Sequence, residues 1–320
     1  MKKNIAVVGC GHWGKNLVRN FAQLGALAAV CDPNDTLAQT YAEQYSVGNL
    51  SFAAIINDAS IEGVVLAVPA TLHASMAIEV MNAGKHAYVE KPLAMNRVEA
   101  EAMIASAKEN GVQLMVGHLL QYHPVFIALR ELVQSGKLGS LSYIYSNRLS
   151  FGKVRSEEDV IWSFASHDIS MILSLTGQQP EAVRTQSSSI LQSDIADIVT
   201  VHMEFKSALK AHISLSWLHP YKEQKLVVIG KDAMAVFDDT KPWDKKLALY
   251  RHVVDLSSDI PLLQSSDVDY IQVPSSEPLR NECSHFIDVV AGKLSPLTNG
   301  QEGLRVLNVL TQASTQASLK

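Results

Sequence analysis

The chain has 320 residues, 47% of them hydrophobic and 18% charged, with a formal net charge of −5. Such a composition belongs to a globular protein with sizeable cores, and the length suits two domains sharing one cleft. The acidic balance and the lack of any basic block exclude a nucleic-acid surface, and no apolar run reaches the length of a membrane span.

Asn4 to Val8 is a short run of branched apolar residues, which predicts a strand buried on both faces. Met1-Lys2-Lys3 leads straight into it, so a signal peptide is not expected. Gly9, Gly11 and Gly14 follow as G-x-G-x-x-G, and Lys15 to Leu24 reads as a helix. A strand before the glycines and a helix after them is the context a dinucleotide-binding turn needs. Gly9 permits the tight turn, Gly11 lets the backbone approach a pyrophosphate, and Gly14 lets helix and strand pack closely. The helix N-terminus then presents free N–H groups to the anion. His12 and Trp13 lie inside this turn and are candidate cofactor contacts.

A second strand, Ala26 to Cys31, ends in Asp32. That carboxylate is placed to hydrogen-bond an adenosine ribose. It also repels a 2′-phosphate, and no Arg follows in Pro33-Asn34-Asp35-Thr36, so NAD is expected over NADP. Strands are further predicted at Gly63 to Val68, His86 to Glu90 and Val112 to Gly117. Helices are predicted at Thr36 to Tyr45, Phe52 to Asn57, Leu72 to Ala83 and Met95 to Asn110. This alternation predicts an α/β domain over residues 1–120, a doubly wound parallel sheet of Rossmann type. Ligands bind beyond the carboxyl ends of such strands, where Asp32, Pro69, Glu90, Lys91 and His118 should converge.

After His118 the pattern changes. Pro124 to Ser135 reads as a helix, and strand-like runs follow at Leu141 to Leu149, Ala182 to Ser188, Ile198 to Phe205, Leu209 to Ser216, Lys225 to Ile229, Met234 to Asp238 and Leu247 to Val254. Helices are expected at Ile161 to Leu175, Pro278 to Ala291 and Gly300 to Ala317. Residues 121–320 therefore read as an α+β domain with a large, mainly antiparallel open sheet. A sheet with so few covering helices leaves one face for a partner, which predicts a homodimer or homotetramer. Cys10, Cys31 and Cys283 have no metal-binding spacing; reduced thiols in the cytoplasm and no bound metal are expected.

Three stretches carry a resemblance: Ala67-Val68-Pro69-Ala70-Thr71-Leu72-His73, Ala83-Gly84-Lys85-His86 and Glu90-Lys91-Pro92-Leu93. They resemble the signature of the Gfo/Idh/MocA family of NAD(P)-dependent sugar and polyol dehydrogenases. The resemblance implies that Val68, Pro69, Thr71, His73, Glu90, Lys91 and Gln121 attend the cofactor. It also implies that Lys91 touches the reacting hydroxyl, and that the second domain's sheet makes oligomer contacts. Many relatives read D-x-x-x-H-x-x-D where this chain has Ser163, His167 and Ser170. The histidine survives as a candidate general base, since an imidazole titrates at about 6.5, while the acids do not.

Retention of Lys91 and His167 without the first Asp is similar to the nucleotide-sugar branch, which oxidises the 3-hydroxyl of UDP-N-acetylglucosaminuronate. Arg148, Lys153 and Arg155 agree with an anionic substrate, although a solvated basic loop offset by Glu157-Glu158-Asp159 would read the same way. Tyr122, Trp162 and Ser163 complete the candidate substrate contacts. The expected activity is NAD-dependent oxidation of a secondary hydroxyl of a sugar or sugar nucleotide to a ketone. A free-sugar or inositol dehydrogenase and a non-catalytic NAD- or sugar-sensing regulator are the alternatives.

Overall fold

The computed structural model describes residues 2–317 apart from 153, 256, 258 and 259. It divides into two units, Met1–Tyr122 with Glu277–Leu307, and His123–Ser276 with Asn308–Lys320.

The first unit begins with β1 (Ile5–Val8), α1 (Gly14–Gln23), β2 (Leu27–Cys31), α2 (Asp35–Tyr45), β3 (Gly48–Asn49) and α3 (Phe52–Asn57). It continues with β4 (Gly63–Leu66), α4 (His73–Asn82), β5 (His86–Glu90), α5 (Arg97–Glu109) and β6 (Leu114–Gly117). The six strands are all parallel, in the order β3-β2-β1-β4-β5-β6. Every residue of β1, β4 and β6 is buried, as expected for a sheet covered on both faces. Chain order reverses between β1 and β4, which makes the space beyond those two strand ends the binding crevice of this sheet. Asn34, Ser51 and Asn96 cap α2, α3 and α5 through their side-chain oxygens, so these helix starts are written in the local sequence. The two-residue β3 was not predicted; Gly48-Asn49 is too short to carry an alternating pattern.

The second unit holds α6 (Pro124–Gln134), β7 (Leu141–Phe151), a single π-helical turn at Ile161–Ala165, and α7 (Ser166–Thr176). Then come β8 (Ala182–Ser188), β9 (Ile198–Glu204), β10 (Lys210–Ser216), β11 (Leu218–Gly230), β12 (Ala233–Asp238), β13 (Leu247–Asp255), β14 (Leu262–Ser265) and β15 (Asp269–Tyr270). The sheet runs β14-β13-β12-β11-β7-β10-β9-β8, with β15 paired to β13. It is antiparallel except where β7 and β10 pair in parallel.

Register explains its two faces. The cross-strand row Val183, Met203, Ala211, Ile144, Val228, Ala235 and Leu249 is buried at every position. The row one residue along carries Arg184, His202, His212 and Tyr145, with Tyr145 stacked on His212 at 5.4 Å between ring centroids. One face is thus apolar throughout, and the other is polar and aromatic over β8, β9, β10 and β7 before the row continues through Val227, Val236 and Ala248, the period-two consequence of the pleat.

The chain ends with α8 (Pro278–Val290) and α9 (Gly300–Ala317). The predicted division at 120/121 meets a different C-terminal half here, because residues 277–307 rejoin the first unit. Leu279, Cys283, Phe286 and Val290 of α8 enter the same core as Leu17, Phe21 and Tyr88. The reason lies at the edge of the sheet. Val116 of β6 donates its N–H to the Thr298 carbonyl at 2.7 Å, so the returning chain satisfies an edge that would otherwise stay open. Among the described residues no helix is long and apolar enough to cross a membrane.

Candidate active site

The glycine turn has the geometry its spacing predicts. Gly9 has φ +93°, and a Cβ there would lie 2.4 Å from the Ala67 carbonyl oxygen. A Cβ on Gly14 would come within 1.9 Å of the Gly9 carbonyl oxygen, whereas one on Gly11 would meet nothing within 4 Å. Gly9 and Gly14 therefore close the turn, and Gly11 keeps its surface open for a ligand's backbone approach. Asp32, at the end of β2, accepts the Cys10 N–H at 2.7 Å and the Asn34 N–H at 2.9 Å. Two donors hold its carboxylate beside the turn, in the place an adenosine ribose requires. These features fit a bound dinucleotide. Calorimetry should find NAD binding tighter than NADP, with Asp32→Ala narrowing the gap about tenfold; equal binding of both by the unaltered protein would refute this role. The neighbouring Cys10 thiol is pushed up to about 12, first by burial and then by Asp32, which leaves it inert.

Beyond β4 and β5 the groups interlock. Val68 and Lys91 are half-buried, and Pro69, Thr71 and His12 are exposed. His73 sits buried with Nδ1 2.8 Å from the Pro92 carbonyl and Nε2 3.0 Å from the Val68 carbonyl. Its ring ties the turn after β4 to the turn after β5 and so braces the segments that carry the expected cofactor contacts.

Glu90 is buried at the end of β5. Its Oε1 accepts the Trp13 indole N–H at 2.6 Å and the Tyr88 hydroxyl at 3.2 Å, and its Oε2 accepts the Lys91 N–H at 3.2 Å. Gly117 lies against this carboxyl, where a Cβ would come within 2.9 Å of Oε2. Lys91 therefore leaves the sheet from a backbone position fixed by its neighbour's side chain.

Behind Glu90 lies a second acid that the sequence analysis passed over. Glu282 of α8 is 1% exposed, and neither carboxyl oxygen has a hydrogen-bond partner of good geometry. Burial first, then Glu90, push its proton affinity well above the ordinary carboxyl range. The native state holds a proton that the unfolded chain releases once pH passes about 4.3. Its contribution to stability is therefore whole below that pH and is lost as pH rises toward the folded-state pKa. Urea unfolding should show Glu282→Gln gaining stability relative to the native protein as pH rises from about 5 to 8, by about 2 kcal/mol, whatever the histidines contribute to both. An identical pH slope in both proteins would contradict this.

Tyr122, an expected substrate contact, is held in place by the fold through its hydroxyl. It is 4% exposed, and its hydroxyl meets Thr298 Oγ1 at 3.0 Å while Thr298 donates to the Val116 carbonyl at 2.7 Å. It fastens the returning chain to β6. Gln121 is buried beside it, and His118 meets Glu302 Oε2 through Nδ1 at 2.6 Å.

In the second unit His167 is half-buried on the first turn of α7, directly after the π-helical turn. Irregular turns of this kind are frequent at functional sites. Its neighbour Asp168 is 1% exposed and takes three hydrogen bonds: Arg148 Nε at 2.5 Å, Arg148 Nη2 at 3.2 Å and Ser146 Oγ at 2.5 Å. The expected free cation at Arg148 is thus a buried ion pair that locks β7 to the base of His167's helix. Arg155 is also engaged, with Nε 3.0 Å from Glu158 Oε1. The same Glu158 oxygen accepts Ser163 Oγ at 2.8 Å, so a carboxylate stands beside the position where Ser163 replaces an acid. Trp162 directs its indole N–H to Ser314 Oγ at 3.1 Å. Lys153 lies outside the described residues. Among those described, no cluster of three or more His, Cys, Asp or Glu side chains forms a metal site.

Residues 3–118 match the family model described as an oxidoreductase family with an NAD-binding Rossmann fold. Residues 126–236 match the Gfo/Idh/MocA C-terminal domain. The chain belongs to the Gfo/Idh/MocA family. Its first unit is an NAD-binding Rossmann domain and the protein is an oxidoreductase, so the reading as a non-catalytic sensor falls away.

Among its relatives, the UDP-N-acetylglucosamine 3-dehydrogenase of Acidithiobacillus ferrooxidans is 29% identical over 308 residues, which are 96% of this chain and 94% of that protein. A solved structure of that enzyme, GnnA, superposes with a TM-score of 0.86 at 26% identity over 98% of this chain and 97% of its own. Inositol 2-dehydrogenase of Rhizobium meliloti is 23% identical over 292 residues, covering 88% of this chain and 86% of that protein. The WlbA dehydrogenase of Bordetella pertussis, solved in complex with NADH and UDP-GlcNAcA, shares the fold, with a TM-score of 0.79 at 20% identity over 99% of this chain and 97% of that one.

Proposed function

We propose that this family member oxidises the 3-hydroxyl of a UDP-N-acetylhexosamine to a ketone, with NAD as the hydride acceptor. The observation that carries the reading is likeness along nearly the whole length of a UDP-N-acetylglucosamine 3-dehydrogenase, in both sequence and fold. The choice of a hexosamine without a carboxylate over the hexosaminuronate expected from the basic stretch follows the name of that relative. The pairing of Arg148 with Asp168 and of Arg155 with Glu158 agrees with it.

In this reading Lys91 directs its ammonium group at the reacting oxygen and stabilises the charge that builds there as the proton leaves. His167 takes that proton as general base. When bound, NAD supplies the hydride acceptor, while the protein contributes position, charge and exclusion of water. Mixing the protein with NAD and a panel of UDP-N-acetylglucosamine, its C6 uronate, inositol and free hexoses tests the substrate. Absorbance of NADH should rise with UDP-N-acetylglucosamine, whose hexosamine carries no carboxylate, and remain flat with the others. Turnover of inositol alone would favour the free-polyol alternative, and turnover of the uronate alone would restore the earlier expectation.

The polar and aromatic face of the second unit's sheet is also proposed as the surface of a homodimer or homotetramer, built on residues from about 140 to 255. Light scattering at micromolar concentration should return a multiple of the 34.9 kDa chain mass, and a monomer mass would end the idea. Three cysteines without a disulfide agree with a reducing, cytoplasmic setting.

A further inference from the structure

Trp13 is out of place by the ordinary logic of burial. It is a large apolar side chain inside the pyrophosphate turn, and it remains 39% exposed. Yet it is not loose, because its indole N–H is anchored on a buried carboxylate at 2.6 Å. The anchor lies at the end of β5, two strands away from β1 in the sheet, a separation of about 10 Å. The indole therefore reaches from the glycine turn across the carboxyl end of β4. The order reversal between β1 and β4 divides the crevice into two halves. Asp32 marks the adenosine half beside β2, and the ends of β4 and β5 belong to the other half.

We propose that Trp13 is the positioning residue for the nicotinamide riboside. The Glu90 hydrogen bond holds the indole upright, and its exposed face forms a wall against which the nicotinamide half packs. An aromatic ring fixed at one polar corner offers a flat apolar surface at little entropic cost on binding. The same bond immobilises the Glu90 carboxyl, whose other oxygen accepts the Lys91 N–H. Trp13 thus sets the cofactor's reactive end and the backbone from which Lys91 projects in register with one another. This assignment rests on the NAD-binding fold and is independent of which sugar is oxidised.

The test needs no turnover. The chain has four tryptophans, so protein labelled with fluorotryptophan gives four fluorine resonances, and Trp13→Phe identifies the one from residue 13. NAD should move that resonance strongly, and ADP-ribose, which lacks the nicotinamide, should move it little. By calorimetry Trp13→Ala should weaken NAD about tenfold and ADP-ribose less than about twofold. Trp13→Phe keeps a ring but loses the N–H anchor, and should fall between, with NAD weakened about threefold. Glu90→Gln, which preserves an acceptor for the indole, should keep the resonance of residue 13 near its native position in the ligand-free protein, whereas Glu90→Leu should displace it. Equal shifts with NAD and ADP-ribose would assign the ring to the pyrophosphate and overturn the proposal. So would a resonance that neither ligand moves, or equal losses of affinity for both.

Discussion

Replacing Lys91 or His167 by alanine is expected to slow hydride transfer by roughly two to four orders of magnitude while leaving NAD affinity within about threefold of native. The affinity is expected to persist because Gly9, Gly11, Gly14 and Asp32 are assigned the pyrophosphate and ribose contacts, and the Lys91 backbone N–H that bonds to Glu90 is kept in Lys91→Ala. The two losses should combine less than additively, since both side chains are assigned to one oxygen and removing either already spoils its proton transfer. Single-turnover rates on the sugar nucleotide, with NAD binding measured separately, decide the matter. If His167→Ala reacts at the native rate while Lys91→Ala is inactive, Lys91 is itself the base. If both react normally, the chemistry belongs to other residues.

Arg148→Ala should destabilise the protein by about 3–5 kcal/mol, because it leaves the Asp168 carboxylate, 1% exposed, without its cation. Arg155→Ala should cost about 1 kcal/mol or less, since that guanidinium pairs with Glu158 where both side chains remain substantially open to solvent. The contrast separates two roles that look identical in the sequence. Chemical denaturation reads the stability of each variant directly. A paired substitution, Arg148→Met with Asp168→Leu, should recover much of the loss by removing the stranded charge together with its partner. Native stability in Arg148→Ala together with weakened substrate binding would return Arg148 to the list of substrate ligands.

The first unit was readable in the sequence because its signals are local. A buried strand, a glycine turn, a helix and a terminal acid lie within residues 4–32, and the caps on α2, α3 and α5 stand next to the helices they begin. The strands β7 to β13 of the second unit were readable for the same reason, through their alternation, while the short β14 and β15 were not. Their pairing was not, and the parallel contact of β7 with β10 is invisible to a pattern that sees one strand at a time. Tyr122, His73 and Arg148 illustrate the same boundary at the candidate site. Each is a residue type that binds ligands well, and each is instead committed to a structural partner: Thr298, the carbonyls of Val68 and Pro92, and Asp168.

By itself, the sequence determined the Rossmann architecture, the side of the sheet that takes the dinucleotide, the preference expected from Asp32, and the pair Lys91 and His167 as the residues to test. These follow from short-range spacing, in which one residue's chemistry and its immediate neighbours carry the information. Tertiary structure alone decided that residues 277–307 return to the first unit, that Trp13 and Lys91 share the carboxyl of Glu90, and that Arg148 is neutralised before any substrate arrives. Those facts depend on contacts such as Arg148 with Asp168, Trp13 with Glu90 and Val116 with Thr298, which are 20, 77 and 182 positions apart. Whether a buried cation or hydroxyl serves a ligand or the fold depends on which group occupies the space beside it, and that is settled only when distant segments pack.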